Sequence, residues 1–291
     1  MKKLNNLLLF FFVLIFLMSC TSTKFLSPET EVVPLQSLAD EGDTILLIDA
    51  TKESELVKSL LGDDIGSRAK EITLEIIPKN DDYPLKDFDY NAVVEGDFPY
   101  FTTNFALTHF SDYTKVLEDS KAYYKNDTTE VGVIHKNMVG ASSTSYLDLV
   151  DVVDSKLVNV DSLTAIEMYD ANFALYSIKP KTLFDFGLGL NSSMISHFDS
   201  ILFLINEGDE NTMSLDAQFE VDSESNASTL ERLIKSGYTA SLKKAGAKLD
   251  FSLLKLMFSR NNNVVNIIEM PLSEEQVALL KDTINSSSVG L

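Results

Sequence analysis

Apolar positions along this chain switch between strand-like and helix-like spacing, and the order of the switches occurs twice. In the first half, Ile45–Ile48 reads as a strand. Leu56, Val57, Leu60 and Leu61 then recur at helical spacing up to Gly62, a residue suited to stopping a helix. In the second half, Phe173–Tyr176 reads as the matching strand, and Leu183, Phe184 and Phe186 mark a short helix before Gly187 and Gly189. A second strand follows in each half, Ile72–Ile77 and Ile201–Ile205. A third comes next, Tyr90–Val94 and Met213–Val221, the latter placing Leu215, Ala217, Phe219 and Val221 on one face.

Each third strand leads into a helix. In the first half it is "DFPYFTTNFALTHF". In the second it is "STLERLIKSGYTASLKKAG", where Ser228 and Glu231 have capping-box spacing. "EVGVIHK" and "NVVNIIEMP" read as fourth strands. "TSYLDLVDVV" and "SEEQVALLKDTI" read as trailing helices, the last opened by Ser273 and Gln276, again at capping-box spacing. The order in each half is β-α-β-β-α-β, that of the ferredoxin-like split βαβ arrangement. The expectation is an α+β protein of duplicated ferredoxin-like halves, residues 43–160 and 161–291, with antiparallel sheets and helices packed on one face.

Ahead of the repeat the pattern changes. Lys2 and Lys3 precede an unbroken apolar run, Leu7–Met18, too short to cross a bilayer, and the small residue Ser19 follows. This is a secretory signal layout over residues 1–19, ending at the chain's single cysteine, Cys20. Leu17-Met18-Ser19-Cys20 resembles the lipobox of bacterial lipoproteins, although Met18 departs from the small or β-branched residue usual there. The resemblance implies cleavage before Cys20 and diacylglycerol on its thiol. It further implies residence in the bacterial cell envelope, held to the membrane by acyl chains and facing periplasm or exterior. Residues 20–42 are then the lipidated cysteine and a polar tether, ordered near its end.

Composition narrows the partners. The chain carries 24 basic and 44 acidic residues, a net charge of −20, and loss of Lys2 and Lys3 with the signal takes it to −22. That surface repels nucleic acid. With Cys20 committed to lipid, no thiol remains for disulfides, so the core alone must hold the fold.

Catalytic patterns are sparse. His109, His135 and His197 lack metal-cluster spacing, "GASSTS" does not match a nucleophile elbow, and "GLGLNSS" lacks the third glycine and the lysine of a phosphate loop. Asp81, Asp82, Asp87 and Asp89 lack the spacing of a calcium loop. No cofactor or metal is expected.

Two apolar stretches stand out instead. Phe98, Phe101 and Phe105 fall on one helical face, with Tyr100 and Phe110 nearby. Phe251, Leu253, Leu254, Leu256, Met257 and Phe258 crowd a second segment, apolar nearly all round. They read either as core or as a surface for an apolar ligand or an envelope protein, with Phe98, Phe101, Phe105, Phe251, Leu254, Met257 and Phe258 as candidates. The leading expectation is a lipid-anchored, non-catalytic binding or interaction module. The alternatives are a carrier of an apolar or lipid ligand and, third, a hydrolase whose site leaves no motif.

Overall fold

The computed structural model describes residues 34–38, 44–80, 87–99, 103–104, 107–108, 113–155, 157–178, 180, 194, 196–207, 212–244, 246, 251–278 and 281. Cys20, Phe101, Phe105 and His109 lie outside them, as does the side chain of Phe251. Residues from Val32 onward form one compact unit.

The unit is built on one antiparallel sheet of twelve strands, in the order β11-β12-β10-β9-β8-β1-β2-β3-β7-β6-β5-β4. In the first half these are β1 (Thr44–Asp49), β2 (Ala69–Pro78), β3 (Phe88–Gly96), β4 (Thr114–Glu118), β5 (Lys121–Lys125), β6 (Glu130–His135) and β7 (Met138–Ser142). In the second they are β8 (Phe173–Ile178), β9 (Phe198–Glu207), β10 (Met213–Val221), β11 (Phe258–Asn261) and β12 (Val264–Leu272). Among the described residues the helices with both ends defined are α1 (Pro34–Leu38), α2 (Ser54–Gly66), α3 (Tyr146–Ser155), α4 (Ser162–Asp170), α5 (Glu224–Lys244) and α6 (Phe251–Met257), and residues 274–278 open a further one.

The α+β class and the antiparallel pairing are as the sequence pattern predicts. The strand order is mirrored about the β1–β8 pair: β1-β2-β3-β7 on one side answers β8-β9-β10-β12 on the other. The two halves thus share one sheet.

Three details of the expectation are corrected. First, the opening three strands of each half form a meander, not the interleaved ferredoxin-like order, because consecutive strands pair antiparallel directly, and the chain crosses over only after the third, where β3 pairs with β7 and β10 with β12. A straight helix would carry the chain to the far end of the sheet and favour a parallel strand. Here Gly62, at φ 77° and ψ 161°, breaks α2 into two legs. The chain therefore returns at the end it left, a bend that glycine adopts without the Cβ penalty. Second, helices cover both faces. Ile45 and Leu47 pack with α1, α3 and α4, while Ile48 packs with Leu56 and Val57 of α2. The core over β9, β10 and β12 uses Ala227, Leu230 and Ile234 of α5 and shares the second of these faces, since Leu46 borders both clusters. Third, the counterpart of β12 is β7, the hairpin partner of "EVGVIHK", and that segment (β6) corresponds to β11.

Helix starts follow capping chemistry. Ser273 accepts from Gln276 N at 3.2 Å and Gln276 Oε1 accepts from Ser273 N at 2.9 Å, closing the capping box read from sequence. Ser228 does not begin a helix. α5 starts a turn earlier, where Ser223 Oγ accepts from Asn226 N at 3.3 Å.

Candidate functional site

The connector between the halves lies against the buried helix α1 and leads into α4. α1 is buried along its whole length, with Leu35 and Leu38 in the core. Three hydrogen bonds fasten it to the connector. Asn159 N donates to Gln36 O at 2.8 Å, Asn159 Nδ2 to Ser37 O at 3.3 Å, and Gln36 Nε2 to Val160 O at 3.0 Å. Part of the segment read as tether is therefore core.

α4 follows immediately. Asp161 caps it, its Oδ1 accepting from Leu163 N at 3.0 Å and Thr164 N at 3.2 Å. The Thr164 hydroxyl, at 2.6 Å from Oδ2, leads the interactions that hold the Asp161 carboxyl below its usual range. Ala165 and Met168 turn inward against α1 and β1. On the outer side, Leu163 is 75% exposed and Ile166 37% exposed, one turn apart. Leu157 (56%) and Val158 (55%) are exposed just before them. Four large apolar side chains thus meet solvent within a ten-residue stretch, whereas scattered single ones are ordinary on a protein surface.

Beneath α4 lies a half-buried acidic ladder. Asp49, Glu71 and Glu95 occupy directly opposed positions on β1, β2 and β3. Burial, then the charge of Glu95, pushes the Glu71 carboxyl up to about 8. Burial raises Glu95 as well, and raises the Tyr169 phenol of α4 well above its usual range. Tyr169 lies near enough to pull Glu71 down somewhat, yet its hydroxyl and Glu71 Oε1 do not meet in hydrogen-bond geometry. Further along β2, the buried Glu75 accepts from Asn91 Nδ2 at 2.7 Å. This ladder can hold a proton at neutral pH. Among the described residues, no group of three His, Cys, Asp or Glu side chains has metal-binding geometry.

The described members of the apolar candidates are mostly core. Phe98 is buried with Ile48, Leu56, Ile72 and Phe173. Phe258 is buried with Phe219 and Val265, and its ring meets Tyr238 edge-on at 5.7 Å. Leu254 and Met257 pack half-buried on that second cluster. The two stretches share a sheet face but not a cluster. Leu46 and Ile205, half-buried, border both. The second stretch is not one helix: α6 ends at Met257 and Phe258 begins edge strand β11. Leu253 and Leu256, on the outside of α6, are exposed. A shallow groove beside the β4–β5 hairpin, lined by Thr114, Val116, Lys125, Asn126, Asp127 and Thr128, includes none of the candidates.

Of the histidines, His135 pairs with Asp154 and His197 with Asp222, each at 2.7 Å and exposed.

The exposed apolar residues not anticipated from sequence are those of α4. The signal was present in Asp161 followed by Leu163, Ile166 and Tyr169, a cap ahead of a helical recurrence. It was masked because α4 is apolar on both sides.

The fold defines an α+β protein on an open antiparallel sheet. No known family and no curated protein matches the sequence. Crystal form I of the protein designated TP0453 is similar in fold, with a TM-score of 0.60 and 12% identity over 89% of this chain and 98% of that one. Crystal form III gives 0.57 and 11%, over 89% of this chain and 100% of that one.

Proposed function

We propose that this chain is a lipid-anchored protein of the bacterial envelope, acylated at Cys20, whose body is a non-catalytic binding or interaction module. The observation that carries the reading is the run from the lipobox-like Leu17–Cys20 to α1. Only residues 21–33 separate the cysteine from a helix buried in the core and bonded to the connector. An anchor so joined holds the domain itself, with little free chain between. Thirteen residues reach at most about 45 Å when fully extended.

The interaction role draws support from the exposed apolar side chains beside α1. Among the opposed carboxylates, the strongest catalytic-looking group, Asp49 is engaged by the Thr51 hydroxyl at 2.6 Å and by Lys52 Nζ at 3.3 Å. Phe98 and Phe258 fill core positions, so they do not favour the carrier alternative.

The test is intact-mass spectrometry and membrane fractionation of wild type and Cys20→Ser. Wild type is expected to carry acyl mass and sediment with membranes, and Cys20→Ser to lack the mass and appear in the soluble fraction. Wild type without acyl mass, together with Cys20→Ser still on the membrane, would sink the anchor.

A further inference from the structure

We infer that the outer side of α4 and the connector before it form the face that this protein seats on a lipid bilayer, an assignment that rests on the anchor reading above. Two observations lead there. Of the nine large apolar side chains exposed among the described residues, four fall within one ten-residue stretch: Leu157, Val158, Leu163 and Ile166. The chain beyond the described body ends beside them. Pro34 opens α1, and α1 is hydrogen-bonded through Gln36 and Ser37 to Asn159 and Val160, between the two exposed pairs. A flexible chain of thirteen residues has a root-mean-square span of about 20 Å. A lipid at Cys20 would then keep this patch at high local concentration against the membrane, where a modest apolar affinity suffices.

The helix is also held to keep that face outward. The Asp161 cap fixes its start, Met168 is fully buried, and Lys52 Nζ donates to Asp170 O at 2.9 Å near its end. Its polar side differs from that of cationic surface-seeking helices. Asp161, Glu167 and Asp170 belong to α4 and its cap, with Asp154 at the end of α3. Neutral headgroups therefore suit it and anionic ones oppose it.

The chain contains no Trp, so one introduced indole reports its own surroundings. The acylated full chain with Leu163→Trp is placed in phosphatidylcholine vesicles bearing brominated acyl chains. The control is Leu233→Trp, 47% exposed on α5 across the sheet. Leu163→Trp emission is expected to shift to the blue and to be quenched, and Leu233→Trp emission to stay unchanged. In the Cys20→Ser chain, binding to the same vesicles should persist at higher lipid concentration. Leu163→Asp with Ile166→Asp should lower it at least about fivefold, since a buried leucine or isoleucine contributes appreciably to apolar transfer. Anionic lipid should weaken it.

Vesicle-bound protein whose Leu163→Trp emission stays unquenched would overturn the assignment. So would a blue shift without lipid that tracks protein concentration and a sedimenting dimer, which would give the face to a second copy. Absence of acyl mass on wild type would refute the anchor alone, because the Cys20→Ser titration judges the face without it.

Discussion

Glu71 gives the sharpest test of the packing. Its carboxyl sits under α4, opposite Glu95, and is pushed from an ordinary 4.5 to about 8, chiefly by burial. The folded protein thus binds this proton more tightly than the unfolded chain does. Its contribution to stability is complete below about pH 4.5 and is lost progressively as pH rises towards about 8. The gap is three to four orders of magnitude in proton affinity, about 5 kcal/mol above pH 8 and ~3 kcal/mol at pH 7. Glu71→Gln keeps the shape and removes the ionisation. The variant should match wild type near pH 4.5 and exceed it increasingly up to about pH 8, with the difference level beyond. Urea unfolding followed by far-ultraviolet circular dichroism, at intervals from about pH 4 to 9, measures the difference directly. A wild-type-minus-variant curve that is flat across this range would refute the reasoning.

The remaining predictions concern the core and its closure. Phe258→Ala should cost about 3–5 kcal/mol in urea unfolding because the ring is fully packed, whereas Leu253→Ala, at a 57% exposed position on α6, should stay within about 0.5 kcal/mol. The reverse ranking would reinstate Phe258 as a surface residue. Lys281 Nζ lies 2.8 Å from Oε2 of the buried Glu53, which also accepts from Asn172 Nδ2 at 3.3 Å. Lys281→Met should therefore destabilise by roughly 1–3 kcal/mol, and Glu53→Gln in the same chain should recover most of the loss. Equal losses in the single and double variants would show that the pair does not couple.

Much of this architecture could be read from residue spacing, because spacing reports which side chains share a face. Strands β1, β2, β3, β8, β9 and β10 fall where the apolar runs put them, and the Ser273–Gln276 box closes as written. Spacing does not say which strand lies beside which. The meander arose from one broken helix at Gly62, and a break looks the same in sequence as a stop. One clue was present and passed over. Ile45-Leu46-Leu47-Ile48 is apolar without alternation, the mark of a strand covered on both faces. The β4–β5 hairpin was also open to recognition, since Asp119 and Ser120 take the left-handed conformations of a tight turn between "TKVLE" and "KAYYK". The candidate surface was harder. Apolar residues that fill a core and apolar residues that meet solvent are chemically alike, so spacing alone did not separate the buried Phe98 and Phe258 from the exposed Leu163 and Ile166.

The seam between β1 and β8 has a consequence for the order of folding. β1 leaves the ribosome early and pairs with β2 soon after, but its other edge waits for β8, which begins at Phe173. Through that interval an apolar strand with one bare edge is available to any other extended chain. Both central strands must arrive before either half is safe, so neither half is a finished product. The apolar strand β1 therefore cannot be sealed into the sheet until more than half the polypeptide has been made.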